Sequence, residues 1–214
     1  MKRLQCWARR LPAPIPLVCY GLALVFWLGS GLAVLGWEAA GRAGGRLAQT
    51  DLDPAALEQV DIAPDESGDW VTTGGDPQLI WRNTDGQMAR TLLMQAQFSQ
   101  TPREVCLYYT TRADEPFSSG KRVFGQKQDD GSYLFRLPAG SIAALRLDPC
   151  SPAEEQGAIT LTGLTLTLNV DAPWYAAFNP GWSGLFGYLV WPGLAAAAIR
   201  WLWDGVRFVR RRKQ

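Results

Sequence analysis

The chain contains no histidine among its 214 residues. Histidine is the side chain used most often as a general base and as a metal ligand. None of the four cysteines forms a Cys-x-x-Cys pair. The sequence therefore argues against a structural zinc site or a haem ligand of the usual kind, and we expect no metal and no cofactor.

Other catalytic patterns are missing as well. Ser118 and Ser119 have no G-x-S-x-G context, and no glycine-rich phosphate loop follows a predicted strand. Glycoside hydrolysis needs only two carboxylates, but no pattern places such a pair on one strand face inside an aromatic cleft. We therefore expect that the protein is not an enzyme.

Charge is absent from two long stretches, residues 11–37 and 172–199. Each is longer than the roughly 20 apolar residues that a helix needs to cross a bilayer. We predict one transmembrane helix at 15–37 and a second, with aromatic flanks, at 171–203. Neither uncharged stretch holds an acidic or basic side chain, which argues against an ion path.

Basic residues precede the first span and follow the second. They are Lys2, Arg3, Arg9 and Arg10 in segment 1–14, and Arg207, Arg210, Arg211, Arg212 and Lys213 in segment 204–214. Because such residues stay in the cytoplasm, we expect both termini there and the middle of the chain in the periplasm or on the cell surface. The expected location is the bacterial inner membrane.

The first apolar stretch has a second interpretation, a cleaved signal peptide. However, it exceeds the 7–15 apolar residues of a usual signal core, and no A-x-A site follows. We expect it to be retained as an anchor. Cleavage would still leave the second helix in the bilayer.

The middle of the chain is short of basic residues. Residues 38–171 contain 19 acidic and 11 basic side chains, a net charge of −8. Nucleic-acid phosphates require a basic surface, so we expect no nucleic-acid partner.

No helix-length amphipathic pattern occurs between residues 70 and 169, where short apolar runs alternate with turn residues. This pattern predicts an all-β antiparallel sandwich over 70–170, with one core. The predicted strands are 78–82, 89–98, 104–111, 121–125, 132–137, 142–148 and 158–169. Residues 38–69 are predicted as a linker, with a short helix that Asp53 caps and Pro54 begins.

The last predicted strand contains a change of phase. Before Gly163 the apolar residues, Ile159 and Leu161, occupy odd-numbered positions. After Gly163 they occupy even-numbered positions, at Leu164, Leu166 and Leu168. A β-bulge at the glycine produces such a slip.

Two cysteines, Cys106 and Cys150, fall in this middle region. A bridge between them would close a 44-residue loop and stabilise the domain by roughly 4 kcal/mol in the chain-entropy model. Buried free thiols are the alternative, because cysteine is also a common small core residue. Cys6 and Cys19 are expected in the cytoplasm and the membrane, so neither can join this pair.

The second span is rich in glycine and aromatic residues. Small residues allow another helix to approach closely, so Gly184, Gly187, Trp191 and Gly193 are candidate helix-docking residues. An ordinary anchor, packed only on the first span, is the alternative. Pro192 is expected to kink this helix.

Several segments occur in an order typical of a known domain. They are Gly75-Asp76-Pro77-Gln78-Leu79, Val105-Cys106-Leu107-Tyr108-Tyr109, Phe117-Ser118, Gly131-Ser132-Tyr133-Leu134-Phe135 and Leu145-Arg146-Leu147-Asp148-Pro149. Over about 70–169 the chain resembles a jelly-roll-like β-sandwich of bacterial cell-surface polysaccharide and glycosyltransferase proteins. The resemblance implies a carbohydrate-binding-module-like fold with a mostly non-catalytic, accessory role. Cys150 stands where the domain would have a glycine.

Sugar binding requires exposed rings beside hydrogen-bonding groups. The candidate ligand-facing or partner-facing aromatics are Trp70, Trp81, Tyr108 and Phe117. Most strand aromatics lie in the core, so each has that alternative. Arg146 and Asp148 share a strand face and are predicted to pair with each other rather than bind a ligand.

Two functions remain open. The first is a non-catalytic accessory subunit of a bacterial membrane complex, which docks through its helices onto an integral-membrane partner. The second is a membrane-anchored module that binds a cell-envelope glycan. An exposed aromatic strip across a sheet would favour the second, and we expect the first.

Overall fold

The computed structural model describes residues 14–152 and 157–212. The basic segment before Pro14, with Cys6, lies outside this range, as does Lys213. The chain divides into two compact units. One comprises Met1–Trp37 and Pro173–Gln214, and the other is Glu38–Ala172.

The first unit contains two long helices. Helix α1 is Pro14–Ala43 and helix α2 is Gly181–Arg212, which continues through Pro192. Both are long and apolar enough to cross a membrane. The helix begins later than predicted for the second span, because Trp174–Phe178 forms a separate 3-10 helix. Pro180 and the positive φ of Gly181 (64°) mark the break between the two.

Two hydrogen bonds from α1 side chains to backbone carbonyls hold this unit together. The Tyr20 hydroxyl donates to the Leu189 carbonyl at 2.8 Å, and the Trp27 indole donates to the Phe178 carbonyl at 3.0 Å. Proline has no backbone N–H, so Pro192 removes one donor from this part of α2. The carbonyl that loses its helical donor is that of Tyr188, and Tyr20 donates to the next carbonyl along α2.

In the part of the chain that the structure describes, the second unit contains twelve short strands. They are β1 Thr50–Leu52, β2 Glu58–Val60, β3 Ile62–Pro64, β4 Trp70–Thr72, β5 Gln78–Arg82, β6 Thr91–Phe98, β7 Cys106–Thr110, β8 Arg122–Phe124, β9 Gln126–Lys127, β10 Tyr133–Arg136, β11 Ala144–Asp148 and β12 Thr160–Leu168. All seven predicted strands are present, and their bounds differ from the prediction by at most two residues.

The strands form two antiparallel sheets. The seven-stranded sheet has the order β3-β4-β12-β6-β10-β9, and β1 also pairs with β12. The five-stranded sheet has the order β2-β5-β11-β7-β8. One hydrophobic core takes residues from both, including Phe135 and Leu161 from the larger sheet and Leu107 and Leu145 from the smaller. Two sheets that share one core form a sandwich.

The sequence predicted residues 38–69 as a linker, but in the structure they contain strands of the sandwich. They add β1, β2 and β3 to the two sheets, and Glu38 belongs to the sandwich unit. These strands have three residues each, too few for an alternating pattern to identify them. The predicted short helix is present as the 3-10 helix Pro54–Ala56, with the Asp53 carboxylate accepting a hydrogen bond from the Ala55 N–H.

The predicted bulge lies in β12. Its pairing with β6 shifts between Thr162 and Thr165, and Gly163 has a φ of 65°. Leu161 before the bulge and Leu164 after it both face the core. The extra residue thus keeps leucines of both phases on the inner face of the sheet.

A buried asparagine joins the two ends of the sandwich unit. Asn169, with a φ of 59°, is 1% exposed. Its amide donates to the carbonyls of Ala48 and Met88, and its side-chain oxygen accepts from the Arg90 N–H. One side chain therefore satisfies three backbone groups from segments about 80 to 120 residues away.

We predict that Asn169→Ala destabilises the sandwich by about 3 kcal/mol, because three backbone groups lose their partner in a buried setting. Unfolding of the full chain in detergent, followed by near-ultraviolet circular dichroism, measures this. The control Thr165→Ala, at an exposed position, should stay within about 0.5 kcal/mol of the parent. Equal effects of both changes would contradict the role given to Asn169.

Candidate functional site

The four candidate aromatics do not form a common surface. Trp70 is 6% exposed and belongs to the core, so it is not ligand-facing. Trp81 lines a cleft at one edge of the sandwich. Tyr108 lies on the outer face of the five-stranded sheet, and Phe117 is half-buried in the loop between β7 and β8. Within the described range, an aromatic strip across a sheet is therefore absent.

An ionic cluster occupies the outer face of the five-stranded sheet. Arg146 donates to both carboxylate oxygens of Asp148 at 2.8 Å, which confirms the predicted pair, and to Asp76 at 3.1 Å. Its guanidinium also stands over the Tyr108 ring, 4.9 Å from the centroid. Burial raises the pKa of Asp148, and the nearby Arg146 opposes that rise. Arg146 thus lies over the Tyr108 ring, which the sequence predicted as a candidate ligand-facing aromatic.

A second ring on this face, Phe124, has an arginine over its face and remains 54% exposed. The Arg122 guanidinium lies 4.5 Å from the centroid of Phe124 and pairs with Glu104 at 2.9 Å. Cation–π contacts of this kind use the ring face that a sugar would otherwise stack on. The outer sheet face is therefore built as a set of internal ion pairs.

The loop that carries Phe117 is fixed by its own salt bridge. The Glu115 carboxylate pairs with Lys121 at 2.6 Å and accepts the Thr111 N–H at 3.0 Å. These partners lower the pKa of Glu115 to about 2. Asp130, in the predicted hairpin turn, accepts the Ser132 N–H and hydroxyl, as an ordinary turn residue does.

Cys106 and Cys150 are buried free thiols, so the structure shows the alternative to a disulfide. The physical reason is the strand alternation. Leu107 faces the core, which places Cys106 on the outer face of the sheet, whereas Cys150 is a member of the core. Burial raises the pKa of Cys106 to about 11 and that of Cys150 to about 12.

A cleft of about 440 Å³ opens where β1, the 3-10 helix and β2 meet β5. Its apolar part consists of Leu52, Leu57 and Trp81, which also pack against the core. Its rim carries Asp51, Asp53, Glu58 and Arg82. An aromatic ring, an apolar floor and several hydrogen-bonding groups thus converge on one concave surface.

Each rim carboxylate has one oxygen engaged. Asp51 accepts from the Thr167 hydroxyl at 2.8 Å, Asp53 caps the 3-10 helix, and Glu58 pairs with Arg82 at 2.8 Å. Among the residues that the structure describes, the second oxygen of each carboxylate accepts no hydrogen bond. The rim of the cleft therefore carries three exposed carboxylates, each with an acceptor oxygen available to a ligand.

Sequence reasoning identified Trp81 and the Asp53 cap but missed Asp51, Glu58 and Arg82 as neighbours. They come together because β1 and β2 fold onto the edges of the two sheets, in a region predicted as a linker. The only signal in the sequence was the Asp-x-Asp-Pro segment beginning at Asp51, which indicates a turn rather than a site.

The helix unit carries a separate, apolar groove of about 660 Å³. Helix α2 contributes three of the predicted docking residues, Gly184, Gly187 and Trp191, and α1 contributes residues such as Cys19 and Phe26. Gly193 has another role, because a Cβ there would lie 3.1 Å from the Tyr20 hydroxyl. It makes room for the contact inside the helix pair rather than for a partner.

No protein-family model matches the chain, and no curated protein matches it. Among solved structures, the chain is similar to a low-affinity xylan-binding module, CBM86, from Roseburia intestinalis, with a TM-score of 0.39 and 14% identity over 58% of this chain and 96% of that one. It is also similar to a family two carbohydrate esterase from Cellvibrio japonicus (TM-score 0.34, 16% identity) and to a GH26-CBM35 β-(1,4)-mannanase from Podospora anserina (TM-score 0.32, 9% identity).

The last two matches cover 59% and 58% of this chain but only 36% and 28% of the enzymes. All three are likenesses in fold, and at these TM-scores they carry no argument about a ligand. They do not bear on cell-surface glycosyltransferase proteins, so that part of the resemblance stays a prediction.

We predict that the two sandwich thiols resist alkylation in the folded chain. With a pKa of about 11, only about one Cys106 in a thousand is ionised at a pH of about 8. The measurement is iodoacetamide labelling of a Cys6→Ser, Cys19→Ser variant followed by mass spectrometry, with and without denaturant. Denaturant should expose both thiols. Labelling at the denatured rate without it, or a non-reduced mass two hydrogens lower, would contradict the prediction.

Proposed function

We propose that the protein is a non-catalytic accessory subunit of a bacterial membrane complex. In this proposal both helices cross the inner membrane, both termini are cytoplasmic, and the sandwich lies in the periplasm or on the cell surface. The helices dock onto an integral-membrane partner. The groove formed by Gly184, Gly187 and Trp191 with α1 is the observation that carries the proposal.

A bilayer is the solvent that suits these helices. Of the residues in their most apolar windows, only 6% in α1 and 11% in α2 are buried. Large side chains such as Phe26 and Trp191 are 68% and 70% exposed. The basic residues beyond both spans agree with cytoplasmic ends.

The shape of the groove favours a third helix as its occupant. Its lining on α2 runs from Gly184 to Ile199, about 22 Å along the helix axis. At Gly187 the nearest atom to an added Cβ would be 3.6 Å away, so its backbone is open to the groove, and Trp191 and Phe26 are exposed beside it. At Gly184 an added Cβ would lie 2.8 Å from the Pro180 Cβ, so that glycine also permits the close turn before α2. Backbone left open by a glycine permits close packing of a membrane helix.

The residues on the outer face of the five-stranded sheet support the same function. The rings on the outer face of the five-stranded sheet lie under Arg146 and Arg122. That face is therefore better suited to contact with another protein than to stacking of sugars.

Photo-crosslinking in native membranes tests the proposal. A benzophenone amino acid replaces Phe26 or Trp191, which line the groove, and Phe186, which is exposed outside it, serves as the control. We expect one membrane protein to crosslink from the two groove positions and not from the control. Crosslinking to lipid alone from all three positions would contradict a docked helix.

Paired substitutions add a quantitative test. Gly187→Leu fills the groove and should reduce the crosslink from Phe26 by about ten-fold or more, because the two backbones can no longer approach. Gly205→Leu makes the same change at an exposed glycine of α2 outside the groove and should have no effect. An equal loss in both would show a general defect of the helix instead.

A second candidate function, binding of a cell-envelope glycan, is favoured by the cleft with Trp81. We predict that the full chain in detergent binds members of an oligosaccharide panel and that Trp81→Ala weakens this binding by about ten-fold, through loss of ring stacking. Phe124→Ala, which removes an exposed ring elsewhere, is the control. Equal binding by both variants would exclude the cleft as the site.

A further inference from the structure

We propose that the cleft lined by Trp81 selects a hexosamine residue that carries a free, protonated amino group. This inference rests on the second candidate function and adds the chemical class of the ligand. The cleft joins a half-buried indole ring to three carboxylates on one concave surface.

The net negative charge of the side chains that line the cleft favours a positively charged ligand. Asp51, Asp53 and Glu58 bring three negative charges to the rim, and Arg82 is the one positive side chain in the lining. Because Arg82 is engaged by Glu58 at 2.8 Å, the negative charge of Asp51 and Asp53 is left uncompensated within the cleft. A uronic acid or a phosphate-bearing polymer would be repelled, whereas an ammonium group is attracted.

The free carboxylate oxygens favour a ligand that donates hydrogen bonds. The unengaged oxygens of Asp51, Asp53 and Glu58 are acceptors without a protein donor among the described residues. A sugar ring offers several O–H donors, and an ammonium group adds three N–H donors. Charge-assisted hydrogen bonds from an ammonium group to a carboxylate are roughly twice as strong as neutral ones.

Trp81 and the size of the cleft favour a sugar over a bare cation. A tryptophan ring attracts both a cation and the apolar face of a ring, so it suits a positively charged sugar. The cleft volume of about 440 Å³ lies within the range of sites for small molecules. The apolar floor of Leu52 and Leu57 offers contact to a flat ligand, which a metal ion would not use.

The test compares two oligosaccharides that differ at the sugar nitrogen, which is an ammonium group in one and a neutral acetamide in the other. Calorimetric titrations of the full chain in detergent use β-(1,4)-linked glucosamine tetramer and its fully N-acetylated form at a pH of about 5.5, where amines and carboxylates are both charged. We expect the amino form to bind at least about ten-fold more tightly. Raising the salt from about 0.05 to 0.5 M should reduce this preference, because salt screens exposed charges.

Isosteric variants separate charge from folding. Asp51→Asn with Asp53→Asn keeps the shape of the rim and should remove about ten-fold of the affinity for the amino form. Asp129→Asn with Asp130→Asn makes the same change in net charge in the distant hairpin turn and should have no such effect. Ala56→Phe, at an exposed lining residue, should block the cleft without removing any of these groups.

Each other outcome overturns the inference in a recognisable way. Equal binding of both oligosaccharides would show a glycan site without charge selection, so the second candidate function would stand alone. Competition by tetralysine at the same concentration, with the same dependence on Trp81, would identify a cationic peptide as the ligand. Binding of neither oligosaccharide would remove both the inference and the glycan function.

Discussion

The constraint on which the rest of the structure depends is the solvation of two long helices, each with a long uncharged stretch. Helices α1 and α2 have 30 and 32 residues, and most of their large apolar side chains are exposed. Water makes such exposure costly, at about 25 cal/mol for each Å² of apolar surface. A bilayer removes that cost, and inside it every backbone polar group must find a partner within the protein. The contacts of the helix pair meet this second demand.

Among the described residues, two side-chain hydrogen bonds run from α1 to backbone carbonyls of the segment that begins at Trp174. Tyr20 reaches the Leu189 carbonyl, and Gly193 leaves space for its hydroxyl. Trp27 reaches the carbonyl of Phe178, and Gly31 accommodates the ring of that residue. Gly184 lies against Pro180, whereas Gly187 remains open to the groove, which is why the proposed function assigns the groove to a partner helix.

The sequence predicted the longer strands and the three-residue β8, but missed β1 to β4 and β9, which have two or three residues each. Strands such as β11 and β12 have five and nine residues and show alternation, so their faces, the bulge at Gly163 and the Arg146–Asp148 pair followed from a period of two. Strands β1 to β4 have three residues each and acquire their places only through tertiary pairing. The cleft was missed with them, because two of its walls are β1 and β2. The contact of Gly193 with Tyr20 was not predicted, since spacing along a helix does not reveal which neighbour fills a given space.

The measurement that tests the account most directly is gentle detergent extraction of the tagged chain from its native membrane, followed by native mass spectrometry. The account predicts that an integral-membrane protein remains bound in a fixed stoichiometry. A chain that emerges alone and monodisperse, in several mild detergents and with its helices folded, would contradict it.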